Sequence, residues 1–365
     1  MRKNKKILII IQRSNGDVFL STSLINNLYS FYQSPEIDLL VNDDTYPLAS
    51  LLPNINFIHT FSYAKKQENQ WKQEKKLILS LFKKYDLSIN LTASDRSVIY
   101  ALLASSYSIS AVESQNGKSW WKKLLLKHYY DFDNTKHILL NNLEALYFLN
   151  IKPSFKQLVP QPTELTRILV KNRLEKLNIK KFIIFHPSAQ YKYKIFSKKL
   201  REELLSLMNQ LNFPIIITGG TSEIDNQIKQ TLPEFKNITN WIGQTSIEEF
   251  IALSGMSEAY IGMDTLNMHI AAGQNKRIFA IFGPTILSMW SPWSNLAGMS
   301  AQKDSPMQSY GNVTIFQANM PCVACGNAGC DNKKGNSDCL DNISPAIIYK
   351  QIEDWSQATI FNSTL

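Results

Sequence analysis

Short apolar runs alternate with helix-length amphipathic stretches along almost the whole chain, and the alternation restarts once near its middle. Residues 5–11 read as a buried strand and 12–17 as the turn behind it, because from Val18 the apolar spacing turns helical at Leu20, Leu24, Leu28 and Phe31. Runs at 37–41 and 55–61 predict two further strands, which together make the βαβ opening of a Rossmann-like half. Trp71, Leu77, Leu81 and Phe82 predict a helix within 65–85, followed by a strand at 86–91, a helix of small residues around 98–106 and an amphipathic helix over 119–130. Pro153, Pro160 and Pro162 place a linker at 153–162. Beyond it the pattern repeats: helix 164–177, strand 182–185 with the turn 186–189, and a helix capped by Ser197 with Leu200, Leu204, Leu207, Met208 and Leu211 on one face. Strand 215–218 ends in Gly219-Gly220, a helix opens at Ser222, and Gly243-Gln244-Thr245-Ser246 precedes the helix 247–253. Strands at 259–263 and 277–282 flank a helix bearing His269, and a last helix covers about 344–355.

A length of 365 residues favours two domains. The pattern puts their limits at 1–160 and 161–342, with 343–365 as a closing helical segment that returns to the first half. Hydrophobic residues make up 44% and aromatic residues 11%, enough for sizeable cores. Lys and Arg number 39 against 30 Asp and Glu, so the net charge of +9 implies an anionic partner. No nucleic-acid motif accompanies that charge, and the dinucleotide fingerprint G-x-G-x-x-G is absent, so neither class is favoured. The apolar run at 7–11 is too short for a signal peptide core, and no window approaches the roughly 20 apolar residues of a bilayer span. The reading is therefore a cytoplasmic protein.

Several turns carry candidate chemistry. Asp17 closes Ser14-Asn15-Gly16-Asp17 at a strand-to-helix turn, where a carboxylate is either a base or a first-turn charge favoured by the helix dipole. Asp264-Thr265 sits at the end of a strand, five residues before His269, and reads as a ligand-facing turn or as a plain helix cap. Glu223 follows the two glycines, and Thr245-Ser246 open a helix, with the same two readings. In residues 119–130, SWWKKLLLKHYY, aromatics flank Lys122, Lys123 and Lys127; this suits an anionic membrane surface or an ordinary packed helix. Cys322, Cys325, Cys330 and Cys339 have a spacing that admits a structural zinc held by four thiolates, or reduced thiols packing a loop.

Taken together, Ser14-Asn15-Gly16-Asp17, Lys194, Gly219-Gly220 with Glu223, Gln244-Thr245-Ser246, Asp264-Thr265 with Met268-His269, and Gly283-Pro284-Thr285 resemble glycosyltransferase family 9, the bacterial heptosyltransferases of the lipopolysaccharide inner core. The resemblance implies a GT-B architecture of two Rossmann-like domains facing each other across a cleft. It implies metal-independent, inverting transfer of heptose from ADP-heptose to a lipid-linked anionic saccharide at the cytoplasmic face of the inner membrane. It assigns Asp17 as base and Lys194, Glu223, Thr245, Ser246, Asp264, Thr265, His269 and Gly283 to the donor. Three features depart from the family pattern: Leu266-Asn267 replaces a glycine-containing pair after Asp-Thr, Lys194 is followed by Ile195-Phe196-Ser197 with Lys192 as a competing lysine, and Ser23 stands where the family often has Pro after Thr. The rival readings are another nucleotide-sugar, such as a UDP-linked donor, and a noncatalytic membrane-associated module.

Overall fold

The computed structural model describes residues 5–64, 66–113, 117–211, 213–330 and 335–362. The chain divides into two compact units, Met1–Pro160 and Gln161–Leu365. In the first, strands β1 (Lys6–Ile11), β2 (Glu36–Asn42), β3 (Phe57–Phe61), β4 (Leu87–Asn90), β5 (Ser108–Val112) and β6 (His128–Asp131) are joined by α1 (Asn15–Leu20), α2 (Thr22–Tyr32), α3 (Lys66–Leu81), α4 (Asp95–Ala104) and α5 (Trp120–Leu125). In the second, α6 (Glu164–Lys176), β7 (Ile183–His186), α7 (Lys198–Met208), β8 (Ile215–Ile217), α8 (Glu223–Gln230), β9 (Ile238–Asn240), α9 (Ile247–Met256), β10 (Ala259–Met263), α10 (Leu266–Gly273), β11 (Arg277–Ile281), β12 (Met307–Tyr310), β13 (Val313–Phe316) and α11 (Pro345–Asn362) follow in that order.

Both sheets are doubly wound in the same way. The first has the order β3-β2-β1-β4-β5-β6 and every pair is parallel. The second runs β12-β13-β11-β10-β7-β8-β9, parallel throughout apart from the edge hairpin of β12 on β13. Continuous apolar runs form the central strands because helices cover both faces: β1 is buried from Ile7 to Ile11, and β10 along its whole length. Leu8, Ile10, Leu40 and Phe61 pack under Leu77, Leu81 and Tyr100 in the first unit. Ile183, Phe185, Ile261 and Phe279 share the second core with Leu204, Leu205 and Met208 of α7.

The structure departs from the sequence pattern at four places. The helix expected from Val18 is broken at Ser21, whose hydroxyl bonds back to the Val18 carbonyl at 2.7 Å, so α1 and α2 are separate. Residues 119–130 are not one helix: α5 ends at Leu125 and β6 begins at His128. The proline-rich linker is pinned to the first unit, with Thr22 donating to the Leu158 carbonyl at 2.9 Å, Ser23 to that of Lys156 at 2.7 Å and Asn27 to that of Ser154 at 2.8 Å. The closing helix α11, assigned a return to the first half, buries Ile348 and Ile352 in the second unit's core and stacks Trp355 on Phe213. Each such buried side chain contributes about 1.5–3 kcal/mol. Residues 363–365 of that closing segment and 331–334 of the cysteine segment lie outside the described residues.

Gly262 faces His186 across the β10–β7 pair, and a Cβ placed there would sit 2.6 Å from the His186 carbonyl oxygen and 2.8 Å from the Tyr260 hydroxyl. Gly262→Ala is expected to cost about 1–3 kcal/mol of stability, read as a lowered urea midpoint; an unchanged midpoint would contradict this packing.

Candidate functional site

In a doubly wound sheet the strand order reverses once, and the helices that follow the two strands flanking the reversal go to opposite faces. A crevice opens there, at the carboxyl ends. In the first unit those strands are β1 and β4, and in the second β7 and β10. Asp17 stands just beyond β1 in α1. Lys194 follows β7, and Asp264 directly follows β10.

Asp17 is buried, and both of its oxygens are engaged. Arg13 Nε lies 2.9 Å from Oδ1, and the Ser14 hydroxyl donates to Oδ2 at 2.6 Å. Ser14 is the N-cap of α1 but makes no side-chain cap bond, since its hydroxyl is turned to Asp17. The S-x-G-D turn thus holds a carboxylate in one orientation.

In the second unit Lys194 Nζ donates to Asp264 Oδ2 at 2.6 Å, and Asp264 is buried. Burial alone would lower the Lys194 pKa, but the charge and hydrogen bond of Asp264 hold it above its ordinary value. The pairing separates the two competing lysines: Lys194 reaches the turn after β10, and Lys192 lines a different cavity. Asp264 is not the cap of α10. That position belongs to Thr265, whose side chain makes no cap bond and stands 3.4 Å from the Tyr260 hydroxyl. The first N–H groups of α10 therefore remain available beside a lysine, an arrangement suited to an anion.

His269 is buried on α10, and its Nδ1 has no hydrogen-bond partner among the described residues. Burial pushes its pKa down to about 4, so it is a neutral imidazole rather than a cation. His186, the last residue of β7 rather than the first of its turn, was not among the expected site residues. Its Nδ1 lies 3.0 Å from Thr218 Oγ1 and 3.1 Å from Asn267 Nδ2, and burial brings its pKa to about 4 as well. Asn267, one of the pair that departs from the family pattern, is thus spent on the neighbouring strand end.

The remaining expected donor residues are placed unevenly. Glu223 begins α8 and is exposed, bonded through Oε1 to Gln227 at 3.1 Å. The carboxylate that organises its turn is Asp225, which accepts from Gly220 N at 2.9 Å, Ser222 N at 3.0 Å and the Ser188 hydroxyl at 2.5 Å. Burial opposes its charge, but those donors keep its pKa below the ordinary carboxylate value. A Cβ on Gly219 would come within 2.9 Å of Asp225 Oδ1, which accounts for the paired glycines. Ser246 caps α9 in a reciprocal box with Glu249, taking its N–H at 3.1 Å, while Thr245 beside it is half-buried. Gly243 N bonds to the Gly219 carbonyl at 3.0 Å, drawing that turn to the glycine pair.

Gly283 ends against Leu340, whose Cγ would lie 2.9 Å from an added Cβ, and Gly326 N donates to the Pro284 carbonyl at 2.8 Å. The cysteine segment is therefore packed against the Gly283-Pro284-Thr285 turn. Cys322 and Cys325 are exposed, Cys330 is half-buried and accepts from Asp338 N at 3.4 Å, and Cys339 is buried with its thiol pushed up to about 11 by burial. Among the described residues no three His, Cys, Asp or Glu side chains are gathered as a metal ion would hold them.

The family model described as "Glycosyltransferase family 9 (heptosyltransferase)" matches residues 75–318. Lipopolysaccharide heptosyltransferase 3 of Escherichia coli K12 is 28% identical over 294 residues, covering 77% of this chain and 83% of that protein. Among solved structures, E. coli ADP-heptose lipopolysaccharide heptosyltransferase II aligns with a TM-score of 0.70 at 18% identity, covering 97% of this chain and 99% of the other. The E. coli heptosyltransferase WaaC with ADP also aligns at 0.70, with 14% identity and coverage of 96% and 99%. A family match over most of the chain, on two doubly wound units whose reversal points carry the S-x-G-D and D-T-x-x-M-H turns, places the protein: it belongs to glycosyltransferase family 9, the heptosyltransferases, and its fold is GT-B.

Proposed function

We propose that this chain transfers heptose from ADP-heptose to an inner-core saccharide of lipopolysaccharide, with inversion at the anomeric carbon. The observation that carries the donor half of this reading is the Lys194–Asp264 pair at the uncapped start of α10. Lys194 and the first N–H groups of α10 take the diphosphate, and His269, being neutral, donates or accepts a hydrogen bond without adding charge. Asp264 orients hydroxyls of the transferred sugar, and Glu223 and Thr245 meet the nucleoside. In the reaction an acceptor hydroxyl oxygen attacks the anomeric carbon, the bond from that carbon to the ADP oxygen breaks, and ADP leaves with the electron pair. Asp17, held by Arg13 and Ser14, takes the hydroxyl proton. These steps need no metal, because the lysine and the helix end neutralise the leaving group.

The acceptor is anionic and lipid-linked, which suits a chain of net charge +9. Among the described residues no helix is long and apolar enough to cross a membrane. Contact with the inner membrane's cytoplasmic surface is supported by Trp120, Leu124 and Leu125, all exposed on α5 beside Lys123. Lys122 is not part of that surface: it is buried, donates to the Ala93 carbonyl and pairs with Asp95.

ADP at about a hundred times its Kd is expected to stabilise the full chain by about 2.7 kcal/mol in thermal melts, with UDP having no effect. Stabilisation by UDP alone would move the reading to another nucleotide-sugar, and by neither nucleotide to a noncatalytic module. Asp17→Asn is expected to lower kcat by about a hundredfold or more with donor affinity retained; full turnover in that variant would remove Asp17 from the role of base. His186 and His269 have pKa values of about 4 when folded against an ordinary 6.5. Between these values the unfolded chain binds protons that the folded chain refuses, so stability is complete above pH 6.5 and declines toward pH 4, by up to about 1.4 kcal/mol per imidazole per pH unit. Urea titrations at stepped pH measure that slope, and a flat profile over the interval would contradict the neutral imidazoles.

A further inference from the structure

The second unit holds a cavity of about 450 Å³ between the start of α7, the side of α8 and residues 336–341 of the cysteine segment. Lys192, Ser197, Lys198, Arg201, Asn336 and Asp341 line it, and Lys194, Glu223, Asp264 and His269 are not among its lining residues. The Lys194–Asp264 pair and His269 thus lie outside its wall, while Glu223 meets that wall through its bond to Gln227.

Arg201 is the residue that demands a ligand. It is 5% exposed, spends Nη2 on Thr231 Oγ1 at 3.1 Å and keeps Nε buried without a hydrogen-bond partner among the described residues. No carboxylate pairs with it among the described residues, and burial draws its pKa down against only the charge of Glu202. A buried guanidinium without a counterion is costly, and a bound anion removes that cost. Two further observations point the same way. Lys192 and Lys198 are exposed cations on the same wall. Ser197, also on that wall, begins the 11-residue helix α7 without a side-chain cap bond, leaving the first N–H groups of the helix open to an acceptor. Asp341 is the carboxylate among the lining residues, and it suits a hydroxyl donor rather than the anion itself.

We propose that this cavity is a second anion site, built for a tetrahedral phosphate that arrives either as the free ion or as the ester of a small sugar. Calorimetric titration of the full chain at fixed ionic strength, with inorganic phosphate in one arm and glucose 6-phosphate in the other, tests it. Saturable binding is expected, weakened by about tenfold or more in Arg201→Gln and changed less than about twofold in Lys194→Gln. Should Arg201→Gln fail to fold, the double variant Lys192→Gln/Lys198→Gln, at two exposed positions, carries the same comparison. Tighter binding of the sugar phosphate supports the ester and equal binding supports the free ion. Absence of saturable binding in both arms up to roughly 20 mM, or loss in Lys194→Gln with Arg201→Gln unaffected, overturns the proposal.

Discussion

Two adjacent parallel strands whose next helices leave on opposite faces cannot have the space between their carboxyl ends filled by either connection. The candidate donor and acceptor turns are a response to that constraint. In the second unit the space lies between β7 and β10, and the chain puts across it a 2.6 Å ion pair, Lys194 to Asp264, one partner from the loop after each strand. The pair satisfies a buried carboxylate and at the same time keeps a cation at the lip of the crevice. Removing either partner would leave the other charge uncompensated, so the geometry of the pocket and the stability of the turn are one property.

Around that pair the polar groups are made self-sufficient by local means. Asp225 gathers the N–H groups of Gly220 and Ser222 and the hydroxyl of Ser188, tying the ends of β7 and β8 together. His186 does similar work between Thr218 and Asn267. In the first unit Arg13 and Ser14 fix Asp17 in the same manner. The turns are therefore set before any ligand arrives, which is what positioning a displacement between two substrates requires.

The central strands were legible because parallel strands covered on both faces must be apolar throughout, as in 5–11 and 259–263. Strand β6 was not: only Tyr130 of His128–Asp131 is buried, and the lysines and tryptophans before it continue a helical spacing. The hairpin β12–β13 has a hairpin dipeptide in Gly311-Asn312, but the strands it joins are only four residues each and β12 buries Tyr310 alone, so the alternation that would announce them is weak. Among the candidate site residues, Asp17, Lys194 and Asp264 stood out through their motifs. Asp225 and His186 did not, because a carboxylate three residues after a serine reads as an ordinary cap and a histidine ending a strand reads as core. Their importance lies in partners more than thirty residues away in sequence, Ser188 for one and Thr218 for the other. The choice between Lys192 and Lys194 likewise rests on where a single turn points, which spacing does not encode.

The seat of α11 has a consequence for how the protein is made. Ile348 and Ile352 belong to the same buried cluster as Ile183 and Phe185 of the strand that opens the second sheet, and Trp355 lies against Phe279. During translation the amino-terminal unit has its whole sheet in hand once Asp131 has emerged, while the carboxyl-terminal unit lacks part of its core until Pro345–Asn362 has left the ribosome. A nascent chain stalled before residue 345 would display a finished first half joined to a second whose apolar interior is open, and that is the species for which chaperones would compete.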